Sequence, residues 1–222
     1  MGKIKLNYRL GLRHLYRVSY TVNKVAGYLR RGEKELRKIL EQIHFEDNLA
    51  VLKIAKQLIE NYKPNSIIVN IGTDSLLYDS VGPLVGTMLK KHDDLLYNII
   101  GTLEEPIDFG NLDEKINLIN EMYHENFIIG IDAAISSCTG YISFCNGPIY
   151  PGSGSGKKAT SVGDVSIIAG MGKIVDDFHF LTGESIKRVN NYSFHTVYGC
   201  AKTISAAIIE ADRYIKKYIL LN

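Results

Sequence analysis

No apolar run in the 222-residue chain approaches the roughly 20 residues that a membrane-spanning helix needs. The opening segment, MGKIKLNYRLGLRHLYR, is basic throughout and lacks the apolar core of a secretory signal, which points to a cytoplasmic protein with no membrane partner. Cysteine is scarce. Cys138, Cys145 and Cys200 form an odd set without a CxxC pair, so a disulfide framework is not expected and a reducing compartment fits. Three catalytic signatures are also missing. No serine lies in GxSxG, which removes the hydrolase elbow. His44, His92, His124, His179 and His195 show no HExxH spacing and read as packed or exposed side chains. The glycine-rich stretch Gly147–Lys158 does not follow GxxxxGK[ST], so it is not a phosphate loop. What remains is an ordinary globular composition, 45% hydrophobic and 23% charged, long enough for one substantial domain.

The charge is unevenly placed. Residues 1–43 carry 11 Lys/Arg and 3 Asp/Glu, a local +8; with +2 for the whole chain, the remainder carries −6. Leu36, Ile39, Leu40 and Ile43 recur at helical spacing. Residues 1–43 are therefore expected to form a basic helical extension, with tyrosines among its charges, and residues 44–222 the main domain. Such an arm suits an acidic partner, nucleic acid, a second copy of the chain or docking on its own body.

Beyond it, strand-like and helix-like segments alternate. A helix is expected over Asp47–Tyr62, stopped by Pro64. Ser66–Ile71, Leu95–Ile100 and Asn126–Ile131 are short apolar runs without polar alternation, the pattern of strands buried on both faces. Helices are expected from near Pro83 to His92 and over Leu112–Tyr123, further strands at Gly140–Cys145 and Val165–Ala169, and a long helix over His195–Tyr218. This order specifies an α/β fold, a three-layer sandwich around a central, mostly parallel sheet.

In such sheets ligands bind outside the carboxyl ends of the strands. Asp79 lies in the loop after the first of these strands, just ahead of a helix, where the dipole favours a carboxylate; Asp79 or Ser80 could equally be an N-cap. Asp132 directly follows the Phe127–Ile131 run. If close, the two carboxyls could share a proton and activate water for attack on a carbonyl. Asp164 precedes a strand, on the opposite edge, and is discounted. Cys138 has no histidine partner in sequence.

Five motifs in order, IGTDSLLYDSVGPLVG (71–86), IGTLEEP (100–106), IIGIDAAIS (128–136), GPIYPGSG (147–154) and SVGDVSI (161–167), resemble the YyaC family, sporulation-associated proteins described as candidate spore proteases. A more distant likeness is to the germination protease. There the shared Gly72–Asp79–Gly82–Pro83 turn, the Ile131-Asp132-Ala133 segment and the Pro151–Gly154 loop place that enzyme's catalytic aspartates on Asp79 and Asp132. Hydrogenase-maturation proteases belong to the same superfamily and use acidic residues and a histidine to bind nickel. The resemblance implies a phosphorylase/hydrolase-like fold with a mixed sheet. It also implies an aspartic-type peptidase acting on protein or peptide substrates, spore proteins among them.

The expected substrate-contacting positions are Gly72, Thr73, Asp74, Thr102, Glu104, Pro151, Gly152, Ser153 and Gly154. No metal or other cofactor is expected, because these loops offer no histidine to complete a nickel site. Two alternatives stay open: a non-catalytic binding or regulatory protein on the same fold, and a metal-assisted hydrolase built from Asp79, Asp132 and Glu104 or a histidine. A homo-oligomer is compatible with either.

Overall fold

The computed structural model describes residues 38–123, 125–151, 160–179 and 184–220. Six strands form one sheet in the order β1-β5-β6-β4-β2-β3: β1 (Lys38–His44), β2 (Ile67–Asn70), β3 (Asn98–Ile100), β4 (Ile128–Ala134), β5 (Tyr141–Asn146) and β6 (Val165–Gly170). Strands β3, β2, β4 and β6 run parallel to one another, whereas β5 is antiparallel to β6 and to β1. The sheet is mixed and mostly parallel, as the unalternated apolar runs require.

Pleating sends successive side chains to opposite faces, and each face has its own core. On one face Ile68, Ile129, Ile131 and Ile167 pack with three helices, α1 (Ala50–Glu60), α2 (Val81–Leu89) and α4 (Phe194–Ile215). On the other, Ile67, Val69 and Ile128 pack with Ile116 and Ile119 of α3 (Leu112–Met122). This is the three-layer sandwich. Among the described residues no helix is long and apolar enough to cross a membrane.

One element departs from the helical expectation. Lys38–His44 is a strand, paired antiparallel along β5 with Ile39 opposite Cys145 and Ile43 opposite Ile142, and with a bulge between Ile39 and Glu41. The spacing of Ile39, Leu40 and Ile43 over so short a window does not separate helix from strand. The open edge of β5 supplies backbone partners that only a strand can use. Ile43 enters the core while Ile39 and Leu40 stay exposed, as befits an edge strand. Lys38–Ile43 thus belongs to the sheet; the rest of the basic arm, residues 1–37, lies outside the described residues. A second departure is a separate antiparallel hairpin, β7 (Lys173–His179) with β8 (Glu184–Asn190), where no strands were expected.

Asp164 clamps the start of two parallel strands. Its Oδ2 accepts the Ile128 N–H at 2.8 Å, and its own N–H donates to Ile128 O at 2.7 Å. Asp164→Ala deletes one charge-assisted bond at the β4–β6 junction, and the expected loss is about 1–2 kcal/mol in denaturant unfolding.

Candidate functional site

The carboxyl end of β2 lies beside the middle of β4, with Asn70 opposite Ile131 and the Ile71 N–H donating to Ile131 O at 2.8 Å. After Ile71 the chain must leave the sheet at once. Gly72 does this with φ +133°, and its N–H donates to Ile107 O at 2.9 Å, which joins this loop to the one after β3. The loop then closes into a 3-10 turn, Leu77–Asp79, that packs against β4 and α4 and leads into α2.

Asp79 folds back on its own loop. Its Oδ2 accepts the Thr73 N–H at 3.1 Å. Ser80, not Asp79, holds the N-cap position of α2, and its hydroxyl donates to Leu77 O without capping the helix. Burial pushes the Asp79 carboxyl up to about 6; the Thr73 N–H opposes this, and the charge of Asp108 adds to it. Exposed Leu76 and Leu77 flank the turn, and Tyr78 meets Tyr192 edge-on at 5.5 Å.

Asp132 lies within β4 rather than beyond its end, because pairing with β6 continues to Ala134. It is half-buried, opposite Ile168, and its Oδ1 accepts the Ala133 N–H at 2.8 Å. By alternation it shares the sheet face of Ile128 and Ala134. On that face an open cavity of about 260 Å³ is lined by Ala134, Ile135, Ile168, Gly170, Tyr141 and the exposed Cys138, among others.

The other expected positions fall in different places. Thr73 contacts Asp79 through its backbone, and Asp74 is exposed on the loop. Thr102 is buried and closes the turn after β3, its Oγ1 accepting the Glu105 N–H. Glu104 is exposed and accepts a bond from Thr87 Oγ1 at 3.3 Å. Thr87 lies six residues into α2, about 9 Å along the axis from the helix start, so Glu104 stands towards the β3 edge. Backbone and Thr102 hydrogen bonds hold its carboxyl below the usual range. Pro151 is buried, while Gly152, Ser153 and Gly154 lie outside the described residues.

Of the histidines, His195 Nε2 is 3.1 Å from Glu46 Oε1, and His44 Nδ1 is 3.7 Å from Glu46 Oε2. Among the described residues no three His, Cys, Asp or Glu side chains converge as a metal site would require. Asp108 is the residue that the sequence reading passed over. It follows the buried Ile107 in the loop after β3, at the same rim, and the rule that singled out Asp79 and Asp132 applies to that loop as well.

Comparison with known proteins adds two findings. The chain is 37% identical over 103 residues to "Uncharacterized protein YyaC" of Bacillus subtilis (strain 168), a match covering 46% of this chain and 50% of that protein. It therefore spans about half the length of the curated relative it matches. The family described as "Protein of unknown function (DUF1256)" matches residues 42–207, which include β2 to β8, Asp79 and Asp132. With three quarters of its length inside that match, the chain belongs to the DUF1256 family, the YyaC family that its ordered motifs resemble.

Proposed function

We propose that the protein is a peptide hydrolase that uses Asp79 and Asp132 as an acid–base pair. The observation that carries this reading is a half-buried carboxyl, Asp79, raised to about 6 in the loop after β2, beside the parallel strand that carries Asp132. Two carboxyls of which one is raised form the pairing that lets one group hold a proton while the other accepts one. Asp79, protonated, polarises the scissile carbonyl. Asp132 takes a proton from the water whose oxygen attacks the carbonyl carbon, and the Asp79 proton passes to the carbonyl oxygen. On collapse of the tetrahedral intermediate, Asp132 returns its proton to the departing amine and Asp79 recovers its own. The exposed apolar rim and the cavity beyond Ala134 suit substrate side chains on either side of the bond.

The test is cleavage of unfolded protein or peptide libraries, with small spore proteins as first substrates. Asp79→Asn and Asp132→Asn are each expected to lose about 10²–10⁴-fold in kcat/KM. Wild-type cleavage in either variant would overturn the assignment. Because the acid must be protonated, activity in the wild type is expected to fall as pH rises through about 6.

A further inference from the structure

The loop after β3 is tied to the Asp79 loop by one backbone bond, Gly72 N–H to Ile107 O at 2.9 Å. One residue beyond that bond on the first loop is Thr73, whose N–H holds Asp79 Oδ2. One residue beyond it on the second loop is Asp108. The second loop is itself firmly built. Ile107 is buried, Asp108 Oδ1 accepts the Gly110 N–H at 2.8 Å, the Asp108 N–H donates to Asn111 Oδ1 at 3.1 Å, and Asn111 Nδ2 donates to Pro106 O at 3.0 Å. Asp108 is thus fixed relative to Asp79 by two short, bonded turns.

We propose that Asp108 is a positioning residue for the proton on Asp79: its carboxylate, on a loop tied to the Asp79 loop by these turns, adds to burial in holding Asp79 in the acid form and so favours Asp132 as the base. This rests on the peptide-hydrolase reading for its purpose, but its physical content is independent of any substrate. The titratable groups around Asp79 are Tyr78 on its own turn, Tyr192 after β8, which meets the Tyr78 ring, and Asp108 on the loop after β3; Asp132 is carried by β4, against which the turn packs. Tyr78 is itself pushed up by burial and then by the charge of Asp79, so it stays a neutral phenol and adds no charge beside Asp79. The Thr73 N–H engages Oδ2, which leaves Oδ1 to carry the proton. Like charge within the same partly dry rim disfavours a second carboxylate.

The experiment uses the full chain labelled with ¹³C at the aspartate carboxyls. The Asp79 signal is assigned by its loss in Asp79→Asn, and its titration is followed in wild type, Asp108→Asn and Asp108→Glu. Asparagine keeps an Oδ1 that can accept from Gly110, so the turn is retained and only the charge is removed. The Asp79 midpoint is expected near 6 in wild type, at lower pH in Asp108→Asn, and back towards the wild-type value in Asp108→Glu. An unchanged midpoint in folded Asp108→Asn overturns the proposal. Should that variant not fold, Asp108→Ser, whose hydroxyl oxygen can accept the Gly110 N–H and carries no charge, must lower the midpoint in the same way. A shifted midpoint with no cleavage of any peptide supports the role of Asp108 while refuting the hydrolase reading. Cleavage whose pH dependence is the same in wild type and Asp108→Asn overturns it.

Discussion

Asp79→Asn is expected to make the protein more stable at neutral pH, by about 3 kcal/mol at most, while removing the proposed hydrolase activity. The sign follows from linkage. Asp79 titrates near 6 in the fold and near 3.8 when the chain is exposed, so the folded state binds the proton more tightly. The resulting stabilisation is fully present below pH 3.8 and is lost as pH rises to about 6; above that, the fold carries a buried charge that solvent would have welcomed. Asparagine keeps an oxygen for the Thr73 N–H and cannot ionise. In denaturant titrations from pH 4 to 7, wild type is expected to lose stability across the window and the variant to lose less by that amount. Parallel curves for the two proteins would mean that Asp79 is not desolvated. A group that weakens the fold at the pH of use is retained for some other reason, and a proton held for catalysis is such a reason.

The parallel part of the sheet was legible because burial on both faces leaves an unmistakable pattern. Ser66–Ile71 and Asn126–Ile131 show no regular polar–apolar alternation, and they became β2 and β4. The helices were legible from their periodicity, although α2 starts at Val81, two residues before the proline taken as its marker. The edges were not. Strand β1 keeps only Ile43 inside, so its hydrophobic pattern carries little period-two signal, and its conformation is set by β5 roughly a hundred residues later. The β7–β8 hairpin mixes charged and apolar residues in sequence without a strict alternation.

At the site, the positions of Asp79 and Asp132 followed from strand exits, which are local features. The place of Asp132 within β4 did not, because the strand's length is fixed by its pairing with β6. Asp108 was hidden for a similar reason. Its closeness to Asp79 depends on the bond from Gly72 to Ile107, which joins positions 35 residues apart. Glu104 had looked equally well placed after β3, yet the bond from Thr87 holds it along α2 instead. Sequence order locates a loop at the rim; it does not say which of that loop's carboxylates turns inward.

The steepest structural dependence falls on a residue with no side chain. Gly72→Ala is expected to destabilise the fold by about 3 kcal/mol or more, a large share of a typical domain's total. At φ +133° an L side chain is strained whatever the space around it, and here there is none: a Cβ would lie 2.0 Å from the backbone carbonyl oxygen of Asp79 and 3.3 Å from Pro83 Cδ. Relief requires the 3-10 turn to move, and Asp79 with it. Gly101→Ala serves as the control, since its φ is +84° and its Cβ would meet Asn70 O at 2.0 Å, at the end of β2 rather than in the Asp79 turn. Both variants are expected to show comparably lowered denaturant midpoints. Only Gly72→Ala is expected to displace the Asp79 carboxyl titration, because only there is the clashing atom part of Asp79. Equal titrations in the two variants would show that the turn's position does not depend on Gly72. A displaced titration in Gly72→Ala alone would tie the proton on Asp79 to the tight exit from β2, and hence to the glycine that opens the loop.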